Sequence, residues 1–217
     1  VMQNQIIDLI GEAHPIVADV YSLNSGSAIS IPVGKTIAAD AGKSDEELAQ
    51  GLLTLAESGA DLCDVMTDYF DPQPGEFSTD PEAVRKQMAL INAIHEKGSQ
   101  VIMSTHVHKY IPAERVLEIA LEQQRRGADV VKIVTGAENM AQQIENLRII
   151  TLLKEHLKIP FLFLSGGECH LMRRIGGELG CCMYLCVHEH DALATPSQPL
   201  LRHVKAIRDI LEGGETI

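Results

Sequence analysis

Basic charge is scarce in this chain. Lysine and arginine number 18 against 30 aspartates and glutamates, a formal net charge of -12. Phosphate backbones are held by clustered Lys and Arg, so nucleic acid is not an expected partner. An anionic membrane surface is excluded on the same ground. Long apolar runs are lacking as well: none approaches the roughly 18 residues a membrane span requires. No signal-peptide pattern is read. The five cysteines, Cys63, Cys169, Cys181, Cys182 and Cys186, are odd in number and sit in apolar surroundings. They show neither zinc spacing nor a disulfide framework. We expect reduced core thiols in a cytoplasmic protein, with no metal and no other cofactor.

What is present is a recurring unit, in which an amphipathic helix ends in Gly and a short apolar run follows. "DEELAQGLLTLAESGADLCDVMTDYF" shows it, with Ser44 as N-cap and Gly59 as stop. "DPEAVRKQMALINAIHEKGSQVIMSTH" repeats it, with Asp80 as cap, Pro81 at the first helical position and Gly98 as stop. Three further copies and a closing helix follow. The apolar runs are continuous rather than alternating, as expected for a parallel sheet covered on both faces. Six strands are predicted, near residues 15–21, 62–67, 100–106, 130–134, 160–165 and 183–187. Alternating strand and helix means an α/β fold. At 217 residues and 45% hydrophobic, the chain suits one domain spanning 1–217.

Asp68, His106, Lys132, Ser165 and His188 stand where these strands end. Chemistry in α/β barrels collects at that rim. A (β/α)8 barrel needs eight strands, so two βα units are expected ahead of residue 1, or a second chain closes the gap. A homodimer is the expected assembly. "AISIPV" is rich in β-branched residues and is expected to cover a sheet edge.

Lys132 lies within the most apolar run, "GADVVKIV". A buried lysine must be paired or give up its proton. Asp68 and Glu168 are the partners that a structural role would use. The chemical alternative is imine formation: desolvation favours the neutral amine, which attacks a ketone. His106 ends the preceding strand and would remove a proton alpha to the iminium carbon. Asp64, Asp68, His106, Glu168, His170, His188 and His190 could instead surround a metal at the rim.

"GADVVKIV" with "VIMSTH" one unit before it, followed by "LSGGECHLMRRIGGELG" and "ATPSQP", resembles the type I 3-dehydroquinate dehydratases. The order and spacing agree from about residue 100 to the C-terminus. The resemblance implies a TIM barrel and a lyase acting through a lysine Schiff base, with Lys132 as the imine lysine and His106 as general acid/base. It places the carboxylate-holding arginine on Arg174, with Arg173 in a serine slot, and the closing-loop glutamine on Gln198. Asp68 and Ser165 complete the expected substrate contacts. The chain differs from the family after "PIVADVYS", where "LNSGSAISIPVGKTIAADAGKSDEE" contains no arginine. The expected substrate is a small β-hydroxy ketone carboxylate. A metal-assisted aldolase using Asp64, Asp68 and His106, and a non-catalytic barrel that binds a ligand or partner, are the competing readings.

Overall fold

The computed structural model describes residues 44–190 and 196–213, together with the backbone of four short strands before them. Those strands are β1 (Ile6–Ile7), β2 (Val20–Ser22), β3 (Ile29–Ile31) and β4 (Lys35–Ile37). Helix and strand then alternate: α1 (Asp45–Glu57), β5 (Leu62–Met66), α2 (Pro81–Glu96), β6 (Gln100–His106) and α3 (Ala113–Arg126). They continue as β7 (Val130–Gly136), α4 (Met140–His156), β8 (Phe161–Gly166), α5 (Met172–Leu179), β9 (Tyr184–Leu185) and α6 (Leu201–Leu211).

Helix starts follow from local chemistry. Ser44 and Glu47 form a reciprocal capping box, with the Glu47 amide donating to Ser44 Oγ at 3.2 Å and the Ser44 amide to Glu47 Oε2 at 2.8 Å. Asp80 Oδ1 accepts from the Ala83 amide at 2.8 Å, and Pro81 occupies the first turn, where its missing N–H costs nothing. α3 ends at Gly127, whose φ of 102° only glycine adopts without strain.

The main sheet has five parallel strands in the order β2-β5-β6-β7-β8. The register sets Ser104 beside Lys132 and His106 beside Val134. Side chains alternate between faces along a strand. Cys63, Val65, Val101 and Met103 pack outward with Leu48, Leu52, Leu90, Ile91 and Ile94 of α1 and α2. Leu52 and Ile94 are fully buried, each stabilising by about 1.5–3 kcal/mol on area grounds. The opposite face therefore carries Asp64 on β5, Ser104 and His106 on β6, and Lys132 and Val134 on β7. No helix among the described residues is long and apolar enough to cross a membrane.

Two strand expectations need correction. The run at 183–187 forms only Tyr184–Leu185, which pairs antiparallel with Ile6–Ile7 instead of extending the parallel sheet. "AISIPV" supplies Ile29–Ile31, which pairs antiparallel with Lys35–Ile37 in a two-stranded sheet and not with an edge of the main sheet. A short apolar run carries β propensity but no information about its partner.

Candidate active site

Lys132 faces the sheet side shared with Asp64, and its Nζ donates to Asp64 Oδ2 at 2.8 Å. The lysine side chain is 12% exposed and the aspartate 1%. The partner is thus neither Asp68 nor Glu168. Strand length explains the choice against Asp68: Leu62, Asp64 and Met66 share one face of β5, which stops at Met66, so Asp68 lies in the turn beyond. Ser104 donates its hydroxyl to the other carboxylate oxygen of Asp64. Lysine, aspartate and serine therefore form one hydrogen-bonded chain across three neighbouring strands.

Behind this layer, the side chain of Gln123 on α3 grips the Lys132 backbone. Its Oε1 accepts from the Lys132 amide at 3.2 Å, and its Nε2 donates to Thr67 Oγ1 at 2.9 Å and Thr105 Oγ1 at 3.1 Å. A fully buried amide with this many partners fixes the strand backbone on either side of the site.

His106 stands one step further toward the strand ends, on the same face as Ser104. Its Nδ1 lies 2.7 Å from Glu76 Oε2, and its backbone amide donates to the same oxygen at 2.7 Å. A carboxylate at Nδ1 favours the tautomer with the proton there, which leaves Nε2 free to accept one. Glu76 was not anticipated. It comes from the turn after β5, in "DPQPGEF", where no periodicity marks a functional residue. That turn is held by Arg126, which is 1% exposed and donates to the carbonyls of Thr67 at 2.9 Å and Ser78 at 2.6 Å.

The His108 ring stacks on His106 with centroids 5.8 Å apart. Burial lowers the His108 pKa below the usual imidazole value, and the charges of His106 and Arg173 push it the same way against Glu76. Among the described residues, the non-glycine positions with positive φ are Phe70, Glu76 and His108. Two of the three touch His106. Left-handed backbone costs a non-glycine residue about 1–2 kcal/mol, and such strain gathers at functional sites.

The other expected residues are placed as follows. Asp68 is buried, accepts from the Gln73 amide at 2.9 Å, and lines a cavity of about 120 Å³ with Asp45, Met66 and Glu76. Burial raises its pKa above the ordinary carboxylate value. Ser165 is fully buried and parity turns it away from the Lys132 face; its hydroxyl is 3.4 Å from the carbonyls of Gly166 and Cys169, so it shapes the loop. Gln198 is buried beside the bridge between Val187 and Leu200. Arg174 is half-buried, and its side chain makes no hydrogen bond or ion pair among the described residues. The neighbouring Arg173 is 7% exposed and donates from Nε to the Ser165 carbonyl at 3.1 Å. Among the described residues, no group of three or more His, Cys, Asp or Glu is arranged to hold a metal ion.

A buried lysine with one carboxylate, beside an oriented histidine, is a constellation for imine and proton-transfer chemistry. Comparison with known proteins bears on that reading. The sequence model of the family described as type I 3-dehydroquinase matches residues 76–215. The 3-dehydroquinate dehydratase of Alkaliphilus oremlandii is 33% identical over 93 residues, 42% of this chain and 36% of the relative. That of Pyrococcus abyssi is 33% identical over 118 residues, 54% of this chain and 52% of the relative. The chain thus spans about half the length, or less, of these curated relatives. The type I 3-dehydroquinate dehydratase structure from Clostridium difficile, carrying covalently modified comenic acid, superposes with a TM-score of 0.67 at 16% identity, covering 89% of this chain and 68% of that one. The Geobacillus kaustophilus 3-dehydroquinate dehydratase gives 0.69 at 17% identity, covering 91% and 68%. The shared fold is an α/β barrel with a parallel sheet.

Proposed function

The chain belongs to the type I 3-dehydroquinase family, and on that premise we propose that it is a Schiff-base lyase removing water from 3-dehydroquinate or a closely related β-hydroxy ketone carboxylate. The observation that carries this reading is the nearly buried Lys132–Asp64 pair beside His106. The chemistry runs as follows. Asp64 takes a proton from Lys132, and the neutral amine adds to the ketone. Loss of water from the carbinolamine gives an iminium, which draws electrons from the adjacent C–H bond. His106 Nε2 accepts that proton. The electron pair forms the carbon–carbon double bond as the β-hydroxyl departs, protonated by the imidazolium, as water. Water then hydrolyses the iminium and returns the lysine. Ser104 holds Asp64 in place, and Glu76 keeps the His106 proton on Nδ1. Without the oriented base, the proton-transfer step would lose about 10² to 10⁴ in rate.

Borohydride reduction in the presence of 3-dehydroquinate tests the reading. A reduced adduct on Lys132, absent from Lys132→Ala and Lys132→Arg, is the expected result, since a guanidinium is not a neutral nucleophile. An adduct on Lys109, or none, overturns it. The same reading makes the protein a cytoplasmic homodimer. Met140, Ile144 and Leu147 are exposed on one face of α4 and suit such an interface; a monodisperse monomer by light scattering would remove the dimer.

A further inference from the structure

We infer that Arg126 is a positioning residue for His106, acting through the turn that carries Glu76, an inference that rests on the lyase reading above. His106 lies on the sheet face that holds Lys132. Arg126 ends α3 in the helix layer behind that sheet, with its side chain fully buried. The segment between β5 and α2 joins the two sides. Its ends meet, because the Ser78 amide donates to the Thr67 carbonyl at 3.4 Å. Arg126 spans those ends: Nη1 donates to the Thr67 carbonyl at 2.9 Å and Nη2 to the Ser78 carbonyl at 2.6 Å. Nη1 also donates to Gln87 Oε1 at 2.6 Å, and Gln87 Nε2 donates to the Thr67 and Tyr69 carbonyls at 3.2 and 2.7 Å. The ring of Phe77, next to Glu76 in the chain, has its centroid 5.3 Å from the guanidinium.

A buried guanidinium is a poor choice of mere filler. Taking it out of water is costly, and apolar side chains of similar volume often serve a fold as well or better. Among the described residues its ion-pair partner is Glu122 at 2.8 Å, a carboxylate also held by Arg125. What the planar fork adds is geometry, since its terminal nitrogens fix the spacing and direction of the two carbonyls that close the turn. Glu76 needs such a frame. Its φ of 52° is a left-handed conformation that persists only where the surroundings enforce it. Its carboxylate holds both the ring and the amide of His106 at 2.7 Å. The Thr105 hydroxyl, 3.3 Å from the Glu76 carbonyl, restrains the turn from the sheet side. With the fork gone the turn relaxes and the carboxylate leaves Nδ1. The imidazole then no longer keeps Nε2 free for the substrate proton.

Two measurements test this, and one needs no substrate. At mildly alkaline pH, where an ordinary imidazole is neutral, nitrogen NMR of the ligand-free protein should show His106 as the Nδ1–H tautomer. Arg126→Gln should give a mixture of tautomers. Arg126→Lys, which keeps the charge and loses the fork, should lie between, and Arg125→Gln, at an exposed neighbour, should match the wild type. With 3-dehydroquinate, Arg126→Gln should keep the borohydride adduct on Lys132 and turn over about 10- to 100-fold more slowly, the loss expected of a misdirected base. Glu76→Gln should lose about as much, and the double variant should stay within about threefold of the slower single one, because both act through one contact. An unchanged His106 tautomer in Arg126→Gln, a mixture in Arg125→Gln, or a double variant whose loss is the product of the single losses overturns the assignment. If Arg126→Gln does not fold, Arg126→Lys decides: wild-type tautomer and turnover overturn the assignment, and intermediate values support it. A wild type that forms no adduct on Lys132 would sink the lyase reading, and the tautomers would still judge Arg126.

Discussion

Removing the charge of Asp64 should unfold a large part of this protein's stability margin. Asp64 is 1% exposed and lies 2.8 Å from a Lys132 side chain that is 12% exposed. At an effective dielectric of about 20, two unit charges at that distance attract by about 6 kcal/mol, and the desolvation of both groups offsets much of this. Deleting one partner is different, because the survivor keeps its desolvation penalty and loses its compensation. Asp64→Asn, like Lys132→Met, should therefore cost about 3–5 kcal/mol, out of a total that for a domain is about 5–15 kcal/mol. The double variant removes both charges together, and should fall short of the summed losses by about 2–3 kcal/mol. Urea unfolding at neutral pH, followed by circular dichroism on all four proteins, measures the cycle. Single variants costing under about 1 kcal/mol each, or a double variant equal to their sum within about 0.5 kcal/mol, would show a solvent-screened pair. Lys132 would then not lie in a pocket dry enough for the proposed imine chemistry.

Glu76→Gln should leave borohydride trapping at Lys132 intact and slow turnover by about 10- to 100-fold, because an amide orients His106 without favouring one tautomer; a change under about twofold would detach Glu76 from the reaction. Gly136→Ala should cost about 1–3 kcal/mol, since its Cβ would meet the backbone of His108 and Lys109 at 2.9 and 3.0 Å; unchanged thermal unfolding would place the loop after β6 elsewhere. Asp68 has a native pKa raised by burial, so its contribution to stability is present below the unfolded carboxylate value of about 3.9 and is lost as pH rises through the native one. Asp68→Asn should accordingly gain on the wild type in denaturant unfolding between acid and neutral pH, and a pH-independent difference would refute the linkage.

The parts of this molecule that were legible in the sequence are those set by strand periodicity. The strand at 100–106 is found with the same bounds, because a run buried on both faces leaves no ambiguity about where it begins and ends. Parity along that strand and its neighbour puts Lys132, Ser104 and His106 on one face, but it does not separate Asp64 from Asp68, four residues apart; Asp64 is the lysine's partner because β5 ends at Met66. The pairing of Ile29–Ile31 with Lys35–Ile37 also had a signal, since Pro32 and Gly34 between two β-branched runs suit a hairpin. The antiparallel pairing of Tyr184–Leu185 with Ile6–Ile7 had none, because the partners are far apart in the chain.

Glu76 and Arg173 belong to a different category. Glu76 reaches His106 from a turn in which Gly75 and Glu76 both have positive φ, at 93° and 52°, and a turn has no repeating period from which a side-chain direction follows. Arg173 occupies the second position of α5, where one residue of register separates its buried side chain from the half-buried one of Arg174. The consequence is a division of labour within the barrel. Lys132 and His106, the groups proposed to make the imine and move the proton, stand on strands, so their facing follows from parity. Glu76, proposed to orient the base, stands on a segment joining strand to helix, and such segments vary with little cost to the core. A chain whose strand residues match its relatives while its connecting segments differ should retain the lysine chemistry and alter which carboxylate it accepts.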